Sequence, residues 1–312
     1  MNNTWPLQPV MSTSCVAGYG MCVSLKHGLA IVSGWDRLWA YSLSDGHLVR
    51  GCAAGHMGDM VPPADFVTGG LCLSPDGDNI LLAERKGHRV REVRIADASL
   101  VRFIGERVLQ SPHSVDCNAD VLVVSEACHC ISVLSWHDGE LVTRFGSKGS
   151  GPGQLCTPRG LRLLVDGSGL VVADRDNHRL CVFGMGGEFV HTIGSQKQGL
   201  NLPMDVLECA SGGGFAVANF WANNLLYVAD TGVVEGTYST GIDGNDDYGT
   251  EFSYPSALAA LPDDKLVIRD DDTIRIYRGR TLRHAWISVC VVIAMATWRT
   301  GGAPKRARSG DA

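Results

Sequence analysis

Six times along this chain a short apolar run is followed by a polar turn and then by a second run that alternates. Leu38, Val90, Ile131, Leu180, Leu225 and Ile274 mark the alternating run in successive copies, at intervals of 52, 41, 49, 45 and 49 residues. The run before the turn gives the same count, in Leu29–Val32, Ile80–Ala83, Val121–Val124, Leu170–Ala173, Phe215–Ala218 and Leu266–Ile268. A further apolar segment precedes each of these. It starts at Pro112, Pro158, Pro203 and Pro255 in four copies, and at Gly20 and Gly70 in the other two. Period-2 alternation bounded by Gly and Asp turns reads as β-strand, and no helical period runs through any copy. One four-stranded sheet of this size cannot bury a core alone, so the copies must stack. Radial stacking protects most sheet edges, whereas a period near 45 residues is long for a β-helix coil. The spacing predicts an all-β, six-bladed β-propeller of four-stranded antiparallel blades.

The cleanest copy lies between Gly146 and Gly194. Asp166-Gly-Ser-Gly169 supplies its first turn, because glycine accepts the positive φ of tight hairpins. Its run Ala173-Asp-Arg-Asp-Asn-His-Arg-Leu-Cys-Val-Phe183 is preceded by Gly149-Ser-Gly-Pro-Gly-Gln-Leu155 and Pro158-Arg-Gly-Leu161. This pattern closely resembles the NHL repeat, named for an Asn-His-Leu-like triplet that is Asn177-His178-Arg179 here. Gly87-His88-Arg89 and Cys128-His129-Cys130 are partial echoes, and the resemblance covers about residues 14 to 280. It implies the same six-bladed ring as the repeat count. The domain reading is a lead-in over 1–13, an NHL-type propeller over 14–288, and an apolar then basic, disordered tail over 289–312. For closure of the ring, Leu282–Ile287 is favoured as the outer strand of the last blade. Trp5–Val10 is the competitor, disfavoured by Pro6 and Pro9.

The net charge of −6 divides into +4 from residue 281 onward and −10 before it (−6 minus +4). A chain with an acidic body does not coat nucleic acid by bulk charge. Eleven scattered cysteines, several inside strand patterns (Cys22, Cys72, Cys181), read as buried thiols. With no signal-peptide pattern at Met1, they point to an intracellular, cytoplasmic protein. The apolar run from Ala285 to Trp298 is 14 residues long, short of the ~20 that span a bilayer, so a membrane location is not expected.

Loops joining second to third strands, and one blade to the next, gather on one face of a propeller. The residues expected there to meet a partner are Trp35, Arg37, Lys86, Arg175, Arg179, Phe220, Trp221, Asp270, Asp271 and Asp272. Aromatic and Arg side chains combine large apolar area with a polar handle. The repeat-equivalent His88, His129 and His178 are expected to make turn hydrogen bonds rather than bind metal. Cys128-His129-Cys130 is not expected to hold an ion either, because neighbours on a strand alternate faces. The Asp270–Asp272 run reads as a solvated hairpin.

No nucleophile elbow, P-loop or His-Glu-x-x-His motif is present. The expected function is therefore a non-catalytic scaffold that presents its loop face to a protein or peptide, with no cofactor. The NHL resemblance implies recognition of this kind, including substrate recognition linked to ubiquitin ligation. The first alternative is single-stranded RNA binding, with Arg37, Lys86, Arg89, Lys148, Arg159, Arg175 and Arg179 around Trp35 and Trp221 as stacking platforms. The second is a metal-dependent hydrolase or lyase with His113, Asp205 and Asn219 at the axis.

Overall fold

In the computed structural model the described residues are 7–14, 20–34, 38–49, 68–209, 214–238, 252–261, 265–271, 273–279 and 292–293. Strand β1 (Leu7–Ser14) comes first. Blade 1 follows as β2 (Gly20–Ser24), β3 (Leu29–Ser33) and β4 (Leu38–Ser42). Blade 2 is β5 (Thr68–Leu73), β6 (Asn79–Glu84), β7 (Arg89–Arg94) and β8 (Leu100–Ile104). Blade 3 is β9 (Pro112–Cys117), β10 (Val121–Glu126), β11 (Ile131–Ser135) and β12 (Leu141–Phe145). Blade 4 is β13 (Pro158–Leu163), β14 (Gly169–Asp174), β15 (Arg179–Gly184) and β16 (Phe189–Ile193). Blade 5 is β17 (Pro203–Glu208), β18 (Gly214–Asn219), β19 (Asn224–Ala229) and β20 (Val234–Tyr238). Blade 6 contains β21 (Pro255–Leu261), β22 (Lys265–Asp270) and β23 (Thr273–Gly279). The consecutive strands of each blade form an antiparallel meander, and the first strands neighbour one another in a circle that closes from β21 to β2. The fold is the six-bladed β-propeller that the repeat predicts.

The core consists of layers between blades. Strand β14 is buried along its whole length. Its Val171 and Ala173 pack with Val206 and Val217 of blade 5, while Leu170 and Val172 pack with Val123 and Val133 of blade 3. The period-2 alternation of a strand thus serves two interfaces at once. The same arrangement recurs around the ring and joins blade 6 to blade 1 through Ile274, Ile276, Met21 and Val32.

The ring is closed by the N-terminal segment. Strand β1 lies antiparallel to β23 as the outermost strand of blade 6. The sequence set residues 1–13 apart and weighed Pro9 against a ladder strand. An outer strand uses one edge only, and the register slips between Pro9 and Met11, so the missing N–H is accommodated. The favoured Leu282–Ile287 lies outside the described residues, as does most of 289–312. Within that tail, the two-residue β24 (Val292–Ile293) pairs parallel with β22. Among the described residues blade 1 has three strands, and an isolated bridge joins Tyr41 to Leu48. Among the described residues no helix is long and apolar enough to cross a membrane.

Candidate functional site

The loop face is built on one repeated device. The last residue of the second strand is a buried acid or amide in five blades: Glu84, Glu126, Asp174, Asn219 and Asp270. In four of them its side-chain oxygen accepts a backbone N–H from the segment that leads into the first strand. The donors are Gln110 to Glu126, Cys156 to Asp174 (2.6 Å), Asn201 to Asn219 (2.6 Å) and Ser253 to Asp270 (2.7 Å). Arginines complete the pairing: Arg89 and Arg91 on Glu84, Arg144 on Glu126, Arg179 on Asp174 and Arg275 on Asp270. A buried carboxylate survives only when it is paired and hydrogen-bonded in this way.

The three repeated histidines do a second structural task. His88, His129 and His178 adopt left-handed backbone conformations, with φ of 51°, 63° and 55°. Each Nδ1 accepts a backbone N–H from the following blade: Ser111 at 2.9 Å, Thr157 at 2.9 Å and Leu202 at 3.1 Å. The expected turn hydrogen bond is in fact a clasp between blades. A His178→Ala variant is expected to lose about 1–3 kcal/mol in denaturant unfolding, because the Leu202 N–H is left unmatched. Amide exchange at Leu202 reads the same loss locally, and an unchanged rate there would exclude the clasp.

The predicted partner-facing residues fall into three groups. Trp35, Arg37 and Asp272 lie outside the described residues. Asp270 and Arg179 face inward: Asp270 is 1% exposed. Arg179 bonds Asp174, Ser150 O, Gly151 O and Gln154 O. The Asp270–Asp272 run is therefore not a uniformly solvated hairpin, since its first carboxylate belongs to the strand-end device. Lys86 and Asp271 are exposed, and Arg175 is half-buried with Nη1 on Asp176 at 2.6 Å. Phe220 and Trp221 stand at the surface, and Trp221 is 61% exposed. Sequence reading missed their companion. Tyr254, 42% exposed, sits with its ring centroid 5.0 Å from Phe220 and 6.4 Å from Trp221. Its only sequence signal is its place before Pro255, where the chain enters blade 6 beside the blade 5 loop.

The axial channel holds a second constellation. Gly20, Gly70, His113, Arg159, Arg162, Met204 and Asp205 line it. Arg162 reaches Asp205 at 3.0 Å and the Leu258 carbonyl at 3.3 Å. Asp205 also accepts the Leu258 and Val206 N–H groups, and Asp116 accepts that of Leu163. Burial holds both aspartates above the ordinary carboxylate range, against the pull of Arg162. His113 Nδ1–H donates to Pro158 O at 2.9 Å. Burial, then the Arg159, Arg85 and Arg175 charges, push the imidazole down to about 3, despite that carbonyl. His113 and Asp205 therefore share the channel, whereas Asn219 is held within blade 5 by Gly199, Asn201 and Asn224.

Cys128 and Cys130 converge on Glu126, with donor atoms within 4.8 Å of one another. The three residues lie in the turn before β11, and His129 is directed to the Thr157 N–H, so only the two thiols share a side. Glu126 is already engaged by Gln110, Ser132, Cys130 and Arg144. Burial pushes the Cys130 thiol well up, which opposes the thiolate a metal needs.

In comparisons with known proteins, the family model for the NHL repeat matches residues 155–183. This segment carries the Asp174 and His178 devices, and it lies in a ring of six blades. The chain is thus a six-bladed β-propeller that contains an NHL repeat, a fold suited to a protein-binding scaffold. A search of curated proteins finds no match.

Proposed function

We propose that this propeller is a non-catalytic scaffold that captures a peptide segment of a protein partner on its loop face. The observation that supports this reading is the patch of Phe220, Trp221 and Tyr254. Three aromatic rings from two blades are grouped where neither blade core needs them, and two remain largely in water. Aromatic rings lose little conformational entropy on binding and fill partner pockets with large area. The rigid devices beneath, Asn219 under Phe220 and Asp270 beside Asp271, hold the patch in place. Recognition of substrates for ubiquitin ligation would use the same surface.

RNA binding draws on fewer groups than the sequence offered. Arg179 and Arg89 spend their donors within their own blades, on Asp174 and neighbouring carbonyls and on Glu84 and Glu106.

Selection from a random peptide display library against the purified protein tests the proposal. Selected peptides are expected to lose about 10-fold or more in affinity on Trp221→Ala or Tyr254→Ala, some 1.4 kcal/mol. Stability of the Trp221 variant should stay within ~0.5 kcal/mol of wild type, as for an exposed side chain. Peptides that bind both variants like wild type would overturn the peptide reading. Single-stranded RNA that binds in place of peptide, with affinity falling steeply in salt, would replace it.

A further inference from the structure

The axial channel is lopsided at its loop-face mouth. Near the start of the first strand, blades 1 and 2 carry Gly20 and Gly69, while blades 3, 4 and 5 carry His113, Arg159 and Met204. The two glycines let the innermost strands approach closely: a Cβ at Gly20 would meet the Gly69 carbonyl, and one at Gly69 would meet the His113 carbonyl. Next to these bare backbones around the ring, the mouth is lined by His113 and Arg159.

Two more arginines reach the same place from the second-strand ends. Arg85 follows Glu84 and Arg175 follows Asp174, so both stand where the loop face meets the channel. Glu84 pairs with Thr68 and Asp174 with Pro158, so both arginines follow residues that lie against the start of an innermost strand. The acids nearest in sequence do not cancel this charge. Glu84 is matched by Arg89 and Arg91, Asp174 by Arg179, and deeper in the channel Asp205 by Arg162. Asp176 takes one nitrogen of Arg175. The buried Nε–H groups of Arg85 and Arg175 have no acceptor among the described residues. Forked donors of this kind match the oxygens of a carboxylate or a phosphate.

We infer that the mouth formed by Arg85, Arg159, Arg175 and His113 is an oxyanion-binding site, taking a carboxylate or phosphate group at the propeller axis. This site is independent of the aromatic patch. His113 contributes shape and a neutral ring: with Nδ1–H committed to Pro158 O, its Nε2 can accept a proton-bearing oxygen of the ligand.

Calorimetry in low-salt buffer, with inorganic phosphate in one arm and N-acetylglutamate in the other, tests the site. At least one is expected to bind with Kd of about 1 mM or tighter. Binding of phosphate alone would identify a phosphorylated ligand, and binding of the carboxylate alone an acidic peptide group. Arg159→Ala and Arg85→Gln should each weaken that binding ~10-fold. Arg85→Gln keeps the test valid if Arg159→Ala does not fold. Lys26→Ala, at the opposite end of blade 1 on Asp78, should leave it unchanged. The bound anion should also raise the His113 titration, followed by NMR, from about 3. Trp221→Ala should bind the anion like wild type, whatever it does to peptide. No binding in either arm, or binding that survives both arginine substitutions, would overturn the site.

Discussion

Replacing Asp174 with alanine is expected to destabilise the propeller by about 3–5 kcal/mol, the range found when one partner of a buried ion pair is removed. The carboxylate is fully buried. Its removal strands four donors at once: the Cys156 N–H, the Asn177 amide, the Arg179 guanidinium and the Cys181 thiol. Arg179 matters most, because its side chain is only 13% exposed and would remain charged. The loss should appear as a lower denaturation midpoint in urea with an unchanged slope. Asp174→Asn should be milder. Blade 5 already works with an amide there, since Asn219 accepts the Asn201 N–H while its own amide donates to Gly199 O and Asn224. Equal losses for the two variants would show that the charge, not the backbone acceptor, is what the site requires. An alanine variant as stable as wild type would remove the strand-end device from any structural account of the ring.

A second large effect is expected at the axis. Arg162→Ala should cost about 3 kcal/mol or more near pH 7, because Asp205 and Asp116 lose the buried cation between them. The pH dependence has a defined sign. Burial raises both aspartates above their unfolded values, and Arg162 lowers them. Carboxyls raised in the folded state give their full stability below the ordinary range near pH ~4 and lose it as the pH climbs through the folded value. Without Arg162 they rise further, so the variant's deficit should be greatest at neutral pH and shrink toward pH ~4. Denaturation midpoints measured across that window check it. A deficit that grows on acidification would mean the pair is not held as the channel geometry indicates.

The sequence makes the strands of this fold legible because each buried strand must serve two blade interfaces, and that demand leaves apolar runs at a countable spacing. All six reference residues, from Leu38 to Ile274, fall in third strands. The strand-end device was also visible in principle. Glu84, Glu126, Asp174, Asn219 and Asp270 stand at one repeat position, yet read singly each resembles an ordinary turn residue. Asp270 was grouped with Asp271 and Asp272 for that reason, although the end of a strand points it inward. The channel was less legible. Arg162 sits in an apolar first strand where it looks like an outward position, and its partners Asp116 and Asp205 come from the neighbouring blades. Tyr254 is 33 residues from Trp221 (254 minus 221), so only the ring brings them together. Closure at β1 was hidden by a rule for ladder strands that binds interior strands more tightly than an outermost one.

Strand β1 gives the molecule an order of assembly. Its partner β23 includes Ile274 opposite Thr13, so the seam joins positions 261 apart in the chain (274 minus 13). At ~5–20 residues per second, synthesis of that interval takes on the order of 10–50 s. Through all of it β1 has no native edge to lie against, while blades 2 to 5 can already stack on their neighbours. The ring therefore remains an open arc until its last blade emerges. Vectorial synthesis leaves the β1–β23 seam as the contact that locks the whole.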